Sequence, residues 1–302
     1  MKIVRTAVAE IGYLESGQSD GFPVLFLHGF PDDADTWDRV VDELEGLPLR
    51  LIRPFQRGFG PSQVTAIAAH SGQAAALAQD VLDLADALGI DRFTLVGQDW
   101  GSRAAHAVAV LAPERVTKLL VLATGYGGVV DDPEVWLRQA QVFWYQWWFH
   151  TAAGRQALEQ DREKVCEYLW RVWSPEWRFS PEEFAAVVPS FGNEQFVDTV
   201  IHYYRHRWDA APSSPLYEAQ ENKLRDMPPI PVPAVFVCGT SDVCNLPESS
   251  RGNAKLYPAG LERIELAGVG HFVQRERPGE VARRLQRLQR FVVKGERWAL
   301  RE

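Results

Sequence analysis

Short, unbroken apolar runs alternate with helical-period segments at both ends of the chain. Val24-Leu25-Phe26-Leu27, Leu49-Arg50-Leu51-Ile52, Phe93-Thr94-Leu95-Val96 and Leu119-Leu120-Val121-Leu122 read as strands, and so do Ala234 to Cys238 and Arg263 to Leu266. Between them, residues 74–89 repeat Ala, Leu and Val at helical spacing up to Gly89. Ser102 to Leu111 is an Ala-rich helix, and Val281 to Val293 closes the chain as another. Strands that are apolar throughout and separated by helices predict a mostly parallel sheet covered on both faces. The runs Ile3–Val8 and Ile11–Leu14 add an antiparallel hairpin at one edge.

The middle of the chain follows another period. It reads as helix after helix and holds eight of the eleven tryptophans: Trp136, Trp144, Trp147, Trp148, Trp170, Trp173, Trp177 and Trp208. Gly125-Tyr126-Gly127-Gly128 opens this segment and the proline-rich stretch from Pro228 to Pro233 closes it. The expectation is a core of residues 1–128 and 226–302, with a helical cap of residues 129–225 inserted over the sheet.

Composition narrows the class. Hydrophobic residues make up 46% and charged residues 24%, enough to bury a large core. A net charge of −8 argues against a nucleic-acid surface, which needs a basic face. Apolar runs stay well short of the ~18 residues of a membrane span, and the N-terminus lacks the apolar stretch of a secretory signal. Cys166, Cys238 and Cys244 are odd in number and lack metal-ligand spacing, so reduced thiols in a cytoplasmic protein are expected.

The chemistry falls in the turns. Gly97-Gln98-Asp99-Trp100-Gly101 stands between a strand and a helix, in the spacing that projects a nucleophile from a strained turn. An aspartate there attacks through a carboxylate oxygen and leaves an ester. Its bland alternative is a helix-capping side chain. Gly268-Val269-Gly270-His271-Phe272 puts a histidine after the last strand, where it can take a proton from water. Asp242, just past the preceding strand, supplies the acid, with Asp131 and Asp132 as alternatives from another loop. Nucleophile, acid, histidine is the chain order of triads on this kind of sheet. His28-Gly29-Phe30-Pro31 follows an early strand, so the amides of Phe30 and Trp100 are expected to form an oxyanion hole.

Together these motifs resemble the α/β-hydrolase fold from about Ile11 to Val293. The aspartate at the turn points to the branch of epoxide hydrolases, haloalkane dehalogenases and haloacetate dehalogenases. Epoxide hydrolases fit best. Their two cap tyrosines resemble Tyr145, in Tyr145-Gln146-Trp147-Trp148-Phe149, and Tyr204, in Tyr203-Tyr204-Arg205, with Tyr203 as the fallback. The resemblance implies that both phenols stabilise the alkoxide of an opening epoxide, and that His28, Pro31, Trp100, Trp148, Phe149 and Phe272 contact substrate. Against the haloalkane dehalogenases, Phe30 stands where a halide-binding asparagine is usual, although Trp100 is retained. Haloacetate dehalogenases carry an arginine after the nucleophile and another one turn later, and only the second is matched here, by Arg103. Phe55 replaces an aspartate common two residues before Arg57, so a brace for that loop is missing.

The expected reaction is hydrolysis of a small apolar epoxide to a vicinal diol by water, without cofactor or metal. Dehalogenases with the same nucleophile, and a non-catalytic receptor on the same fold, are the alternatives. His150, His202 and His206 lack a metal-binding pattern and read as cap or surface residues, and Arg283 to Arg290 as a solvated helix face. No nucleic-acid or membrane partner is expected. The oligomeric state stays open, a homodimer being one option.

Overall fold

The computed structural model describes residues 1–127 and 132–290. Asp131, and residues 291–293 of the expected closing helix, lie outside the described residues.

In chain order the strands are β1 (Lys2–Arg5), β2 (Ala9–Gly17), β3 (Phe22–Leu27), β4 (Leu49–Pro54), β5 (Gln63–Val64), β6 (Phe93–Gln98), β7 (Val116–Leu122), β8 (Ala234–Gly239) and β9 (Leu261–Leu266). The helices of the core are α1 (Asp38–Asp42), α2 (Ala74–Ala87) and α3 (Trp100–Leu111). A helical region then covers α4 (Pro133–Val142), α5 (Trp144–Trp148), α6 (Ala152–Trp173), α7 (Pro181–Phe191), α8 (Phe196–Arg207) and α9 (Glu218–Arg225). After β8 and β9 come α10 (Val273–Glu276) and α11 (Pro278–Arg290).

The sheet runs β1-β2-β4-β3-β6-β7-β8-β9, with β5 paired to β2. Contacts of β2 with β1, β4 and β5 are antiparallel, and every pairing from β4 through β9 is parallel. This is the mostly parallel, two-faced sheet that the apolar runs predict. All six residues of β6 and of β8 are buried, as a central strand covered on both sides requires. The first hairpin departs from expectation, because its first strand stops at Arg5. Thr6 and Ala9 close a turn there, with the Ala9 amide 3.0 Å from Thr6 Oγ1.

Topology creates the crevice. The chain passes from β3 outward to β4, then returns to the other side of β3 as β6. Loops leaving the carboxyl ends of β3 and β6 therefore diverge, and in open α/β sheets ligands collect at that divergence. The helical region stands over it. Its starts are locally encoded: Asp132 caps α4, Thr151 caps α6, and Ser180 with Glu183 forms a capping box on α7 behind Pro181.

Candidate active site

Asp99 stands between β6 and α3 with φ 51° and ψ −115°, a conformation that costs a non-glycine residue strain. Space forces the neighbours to be small. A Cβ at Gly97 would strike the Gly101 carbonyl, and one at Gly101 would strike the Leu27 carbonyl of β3. The Asp99 side chain makes no capping bond to α3. Instead its Oδ1 accepts the Phe30 amide at 3.1 Å, across from the loop after β3. Trp100 opens α3, so its amide is among the N–H groups that have no partner within the helix.

His271 is fully buried between two carboxylates. Its Nδ1 is 3.0 Å from Asp242 Oδ2, and its Nε2 faces Asp99 Oδ2 at 3.6 Å without a hydrogen-bond partner among the described residues. Asp242 is itself fixed, its Oδ1 accepting the amides of Cys244 at 2.7 Å and Asn245 at 2.9 Å. Ser174, just past α6, accepts the His271 amide at 2.8 Å, so the helical region holds the histidine loop from above. Asp99, His271 and Asp242 form a buried triad with an aspartate in the nucleophile position.

The charges support one another. Burial pushes the Asp99 carboxyl up, but the facing His271 ring and its charge, the Phe30 amide and Arg103 outweigh it, and its pKa lies below the usual value. Burial pushes His271 down, yet the Cys244 sulfur and the Asp242 and Asp99 carboxylates raise it well above 6.5. Both shifts favour an imidazolium facing a carboxylate over the neutral pair. Among the described residues, Asp99, Cys244 and His271 are the one group of metal-ligand atoms gathered within 4.8 Å. Two of the three already have partners, since Asp99 holds the Phe30 amide and the Cys244 sulfur lies 3.4 Å from the Tyr145 hydroxyl.

Tyr145 on α5 and Tyr204 on α8 come together near the triad, close enough for the Asp99 charge to act on both hydroxyls. Their rings pack edge to face at 5.3 Å, and Tyr204 also packs against Phe30 and Trp100. Burial, aided by the nearby anionic groups, raises both hydroxyls well above 10, so they stay protonated donors. Tyr145 Oη accepts a bond from Gln146 Nε2 at 2.8 Å, and Tyr204 Oη has no partner among the described residues. Tyr203 points elsewhere, its ring stacked on Trp100 at 4.3 Å.

Other expected residues scatter by role. Both ring nitrogens of His28 are engaged by backbone, Nδ1 with the Gly29 carbonyl and Nε2 with the Gln56 amide, so the ring braces two loops. Pro31 offers its carbonyl to Trp170 Nε1 at 2.7 Å. Phe149 packs on Phe30 and Tyr204, and Phe272 packs on His271. Trp148 is half-buried and stacks on Phe149. Asp132 caps α4 and takes no part in the triad. His202 accepts the Gly72 amide, while His150 and His206 contact the Tyr204 carbonyl and Ser213 Oγ.

A family model for the alpha/beta hydrolase fold matches residues 23–278. The chain belongs to the α/β-hydrolase fold family. Epoxide hydrolases recur among its relatives. The epoxide hydrolase of Caballeronia sordidicola is 29% identical, over 91% of this chain and 89% of that protein. Epoxide hydrolase A of Mycobacterium tuberculosis is 25% identical, over 93% of this chain and 94% of its own length. A crystal structure from Klebsiella pneumoniae, described provisionally as an epoxide hydrolase, superposes with a TM-score of 0.87 at 30% identity, covering 96% of this chain and 97% of that one. Family and triad together make this chain a hydrolase with an aspartate nucleophile. Sequence reading misses one brace of the loop after β4: Arg57 forms a two-pronged pair with Asp80 of α2, each contact 2.7 Å. Only the 23-residue separation hides it.

Proposed function

We propose that this hydrolase opens an epoxide with an apolar body to a vicinal diol. The observation that carries the reading is the buried Asp99 carboxylate, facing His271 and near two tyrosines that burial keeps protonated. A carboxylate is the nucleophile suited to an epoxide carbon, and a basic alkoxide leaving group needs O–H donors.

In the first step Asp99 Oδ2 bonds to a ring carbon. The ring C–O bond breaks, its electron pair stays on oxygen, and Tyr145 or Tyr204 protonates that oxygen. Esterification removes the negative charge of Asp99, one of the groups that raise the His271 pKa. His271 then releases its proton to solvent and becomes a base. Water attacks the ester carbonyl, gives its proton to Nε2, and the tetrahedral oxyanion rests against the Phe30 and Trp100 amides. On collapse the departing alkoxide takes the proton left on the added hydroxyl, which frees the diol and restores the Asp99 carboxylate. The tyrosinate regains from solvent the proton that His271 released. Asp242 orients the imidazole and stabilises its charge. The same reading divides the chain into a core of residues 1–128 and 226–302 and a cap of residues 129–225. No described helix is long and apolar enough to cross a membrane. A cytoplasmic setting is supported by three buried, free cysteines.

The test is capture of the ester. His271→Gln should leave alkylation and remove the base, so intact mass should rise by one substrate mass, carried on the Asp99 peptide. An adduct elsewhere, or none, overturns the mechanism. A haloacetate dehalogenase is the second reading, favoured by Arg103 one turn beyond Asp99. Halide release tenfold faster than diol formation, about 1.4 kcal/mol in barrier, would replace the epoxide reading with it.

A further inference from the structure

The end of α6 meets both loops that carry the acid and the base. A helix leaves its last carbonyls without partners of its own, and the Trp173 carbonyl, in the final position of α6, finds them in the core. It accepts the Val243 amide at 3.3 Å and the His271 amide at 3.2 Å. Val243 follows Asp242, so one carbonyl spans the loop of the acid and the loop of the base. Glu176 adds a contact on the acid side, its Oε1 accepting the Ser241 hydroxyl at 2.5 Å.

Ser174 grips the base loop more closely. Its Oγ accepts the His271 amide at 2.8 Å and the Phe272 amide at 3.3 Å. The same hydroxyl donates to Glu276 Oε1 at 2.7 Å, and the Glu276 carboxylate accepts the Gly270 amide at 2.9 and 3.0 Å. The hydroxyl is thereby saturated, its one proton on Glu276 and its two lone pairs on the amides. Three successive amides, from Gly270 to Phe272, are held by one serine and one glutamate. Ser174 is fully buried, and a Cβ at Gly270 would stand 2.4 Å from the Ser174 Cα, so only glycine lets the loop lie this close. Asp99 takes no part in this clamp, since its Oδ1 is held by the Phe30 amide from the loop after β3.

That asymmetry bears on the two steps, which ask for different groups. Ester formation needs the Asp99 carboxylate and a donor for the leaving oxygen. Ester hydrolysis needs His271 Nε2 within reach of a water set against the Asp99 carbonyl, and misplacing a catalytic group by about 1 Å can cost roughly 10²-fold. Asp242 orients the ring through Nδ1, but the place of the ring relative to Asp99 follows its backbone. Trp173 and Ser174 hold that backbone at the amide, and Gln98 Nε2 holds the His271 carbonyl at 3.2 Å. We propose that Ser174, fixed by Glu276, is a positioning residue for His271 that governs hydrolysis of the ester and not its formation. This role rests on the epoxide reading for its two steps, whereas the contacts on His271 do not.

Rapid quenching of the full chain with styrene oxide, followed by intact mass, separates the steps as the rise and decay of the ester. In Ser174→Ala, decay should slow by roughly tenfold or more, while the rise stays within about threefold of the parent's. In the steady state kcat and KM should then fall together, with kcat/KM nearly unchanged. Loosening of the whole site would instead slow both steps and lower kcat/KM. Glu276→Gln weakens the clamp but leaves the serine, so it should slow decay by a smaller factor, and it carries the test if Ser174→Ala does not fold. Decay at the parent's rate, or equal slowing of both steps, overturns the positioning role while the epoxide reading stands. If the parent yields neither ester nor diol, the epoxide reading fails and the role is read without substrate. The downfield proton resonance of the His271 Nδ1–H bonded to Asp242, absent from Asp242→Asn, should then shift or broaden in Ser174→Ala. An unchanged resonance overturns the role.

Discussion

At the scale of residues, two phenols separate an epoxide-opening site from a bare nucleophile and base. A buried donor without a partner is uncommon in a finished structure, and Tyr204 Oη is one. A bond from Gln146 Nε2 uses Tyr145 Oη as acceptor, leaving its hydrogen free to point toward substrate or the Cys244 sulfur. If both donate to the opening ring, Tyr145→Phe and Tyr204→Phe should each slow single-turnover ester formation by roughly 10², the cost of one well-placed donor. The double variant should lose nearly all turnover, and Tyr203→Phe should cost far less. Stopped-flow tryptophan fluorescence would follow the step, and full activity in the double variant would reduce both rings to packing. The motif around Tyr145 was legible, but the choice between Tyr203 and Tyr204 was not. Adjacent helical residues point about 100° apart, and which one meets the carboxylate depends on how α8 docks.

At the scale of elements, strands were easier to read than the contacts that fix loops. Continuous apolar runs announce β3, β4, β6, β7 and β8, because a strand buried on both faces has no polar side to alternate with. The brace of the loop after β4 has no such signature, since Arg57 meets Asp80 on a later helix. Arg57 is buried and also donates to the carbonyls of Ala69, Ser71 and Ala76. The same loop presents the Gln56 amide to His28, so its position bears on the turn that carries Phe30. Losing one partner of a buried, hydrogen-bonded pair typically costs about 3–5 kcal/mol. Asp80→Ala should therefore lower the urea midpoint markedly, by an amount equivalent to several kcal/mol. A change of less than about 1 kcal/mol, the range of exposed pairs, would mean that water replaces the carboxylate at no great cost.

At the scale of the molecule, the helical region is pinned to the loops of the site. Asn193 bonds the Gly60 and Ser62 carbonyls, Trp170 bonds the Pro31 carbonyl, and Ser190 Oγ donates to Asp33 Oδ2 at 2.5 Å. None of these contacts follows from spacing, because each joins segments more than a hundred residues apart. Asp33 carries a pH dependence. Burial, then the charge of Asp32, pushes its carboxyl up to about 7 from an ordinary 3.8. Between those values the folded protein holds a proton that the unfolded chain has released. Stability from this group must then fall as pH rises from about 4 to about 7, and level off above. Asp33→Asn cannot ionise; its oxygen can still accept the Asp35 amide, while its NH2 donates to Ser190 Oγ in place of accepting from that hydroxyl. Urea midpoints measured from pH 5 to 8 at constant ionic strength should show the variant gaining on the parent as pH rises, with most of the gain below pH 7.5. A difference that stays flat across that range would mean that Asp33 is already ionised at pH 5, with the Ser190 hydroxyl and the Asp35 amide compensating its burial.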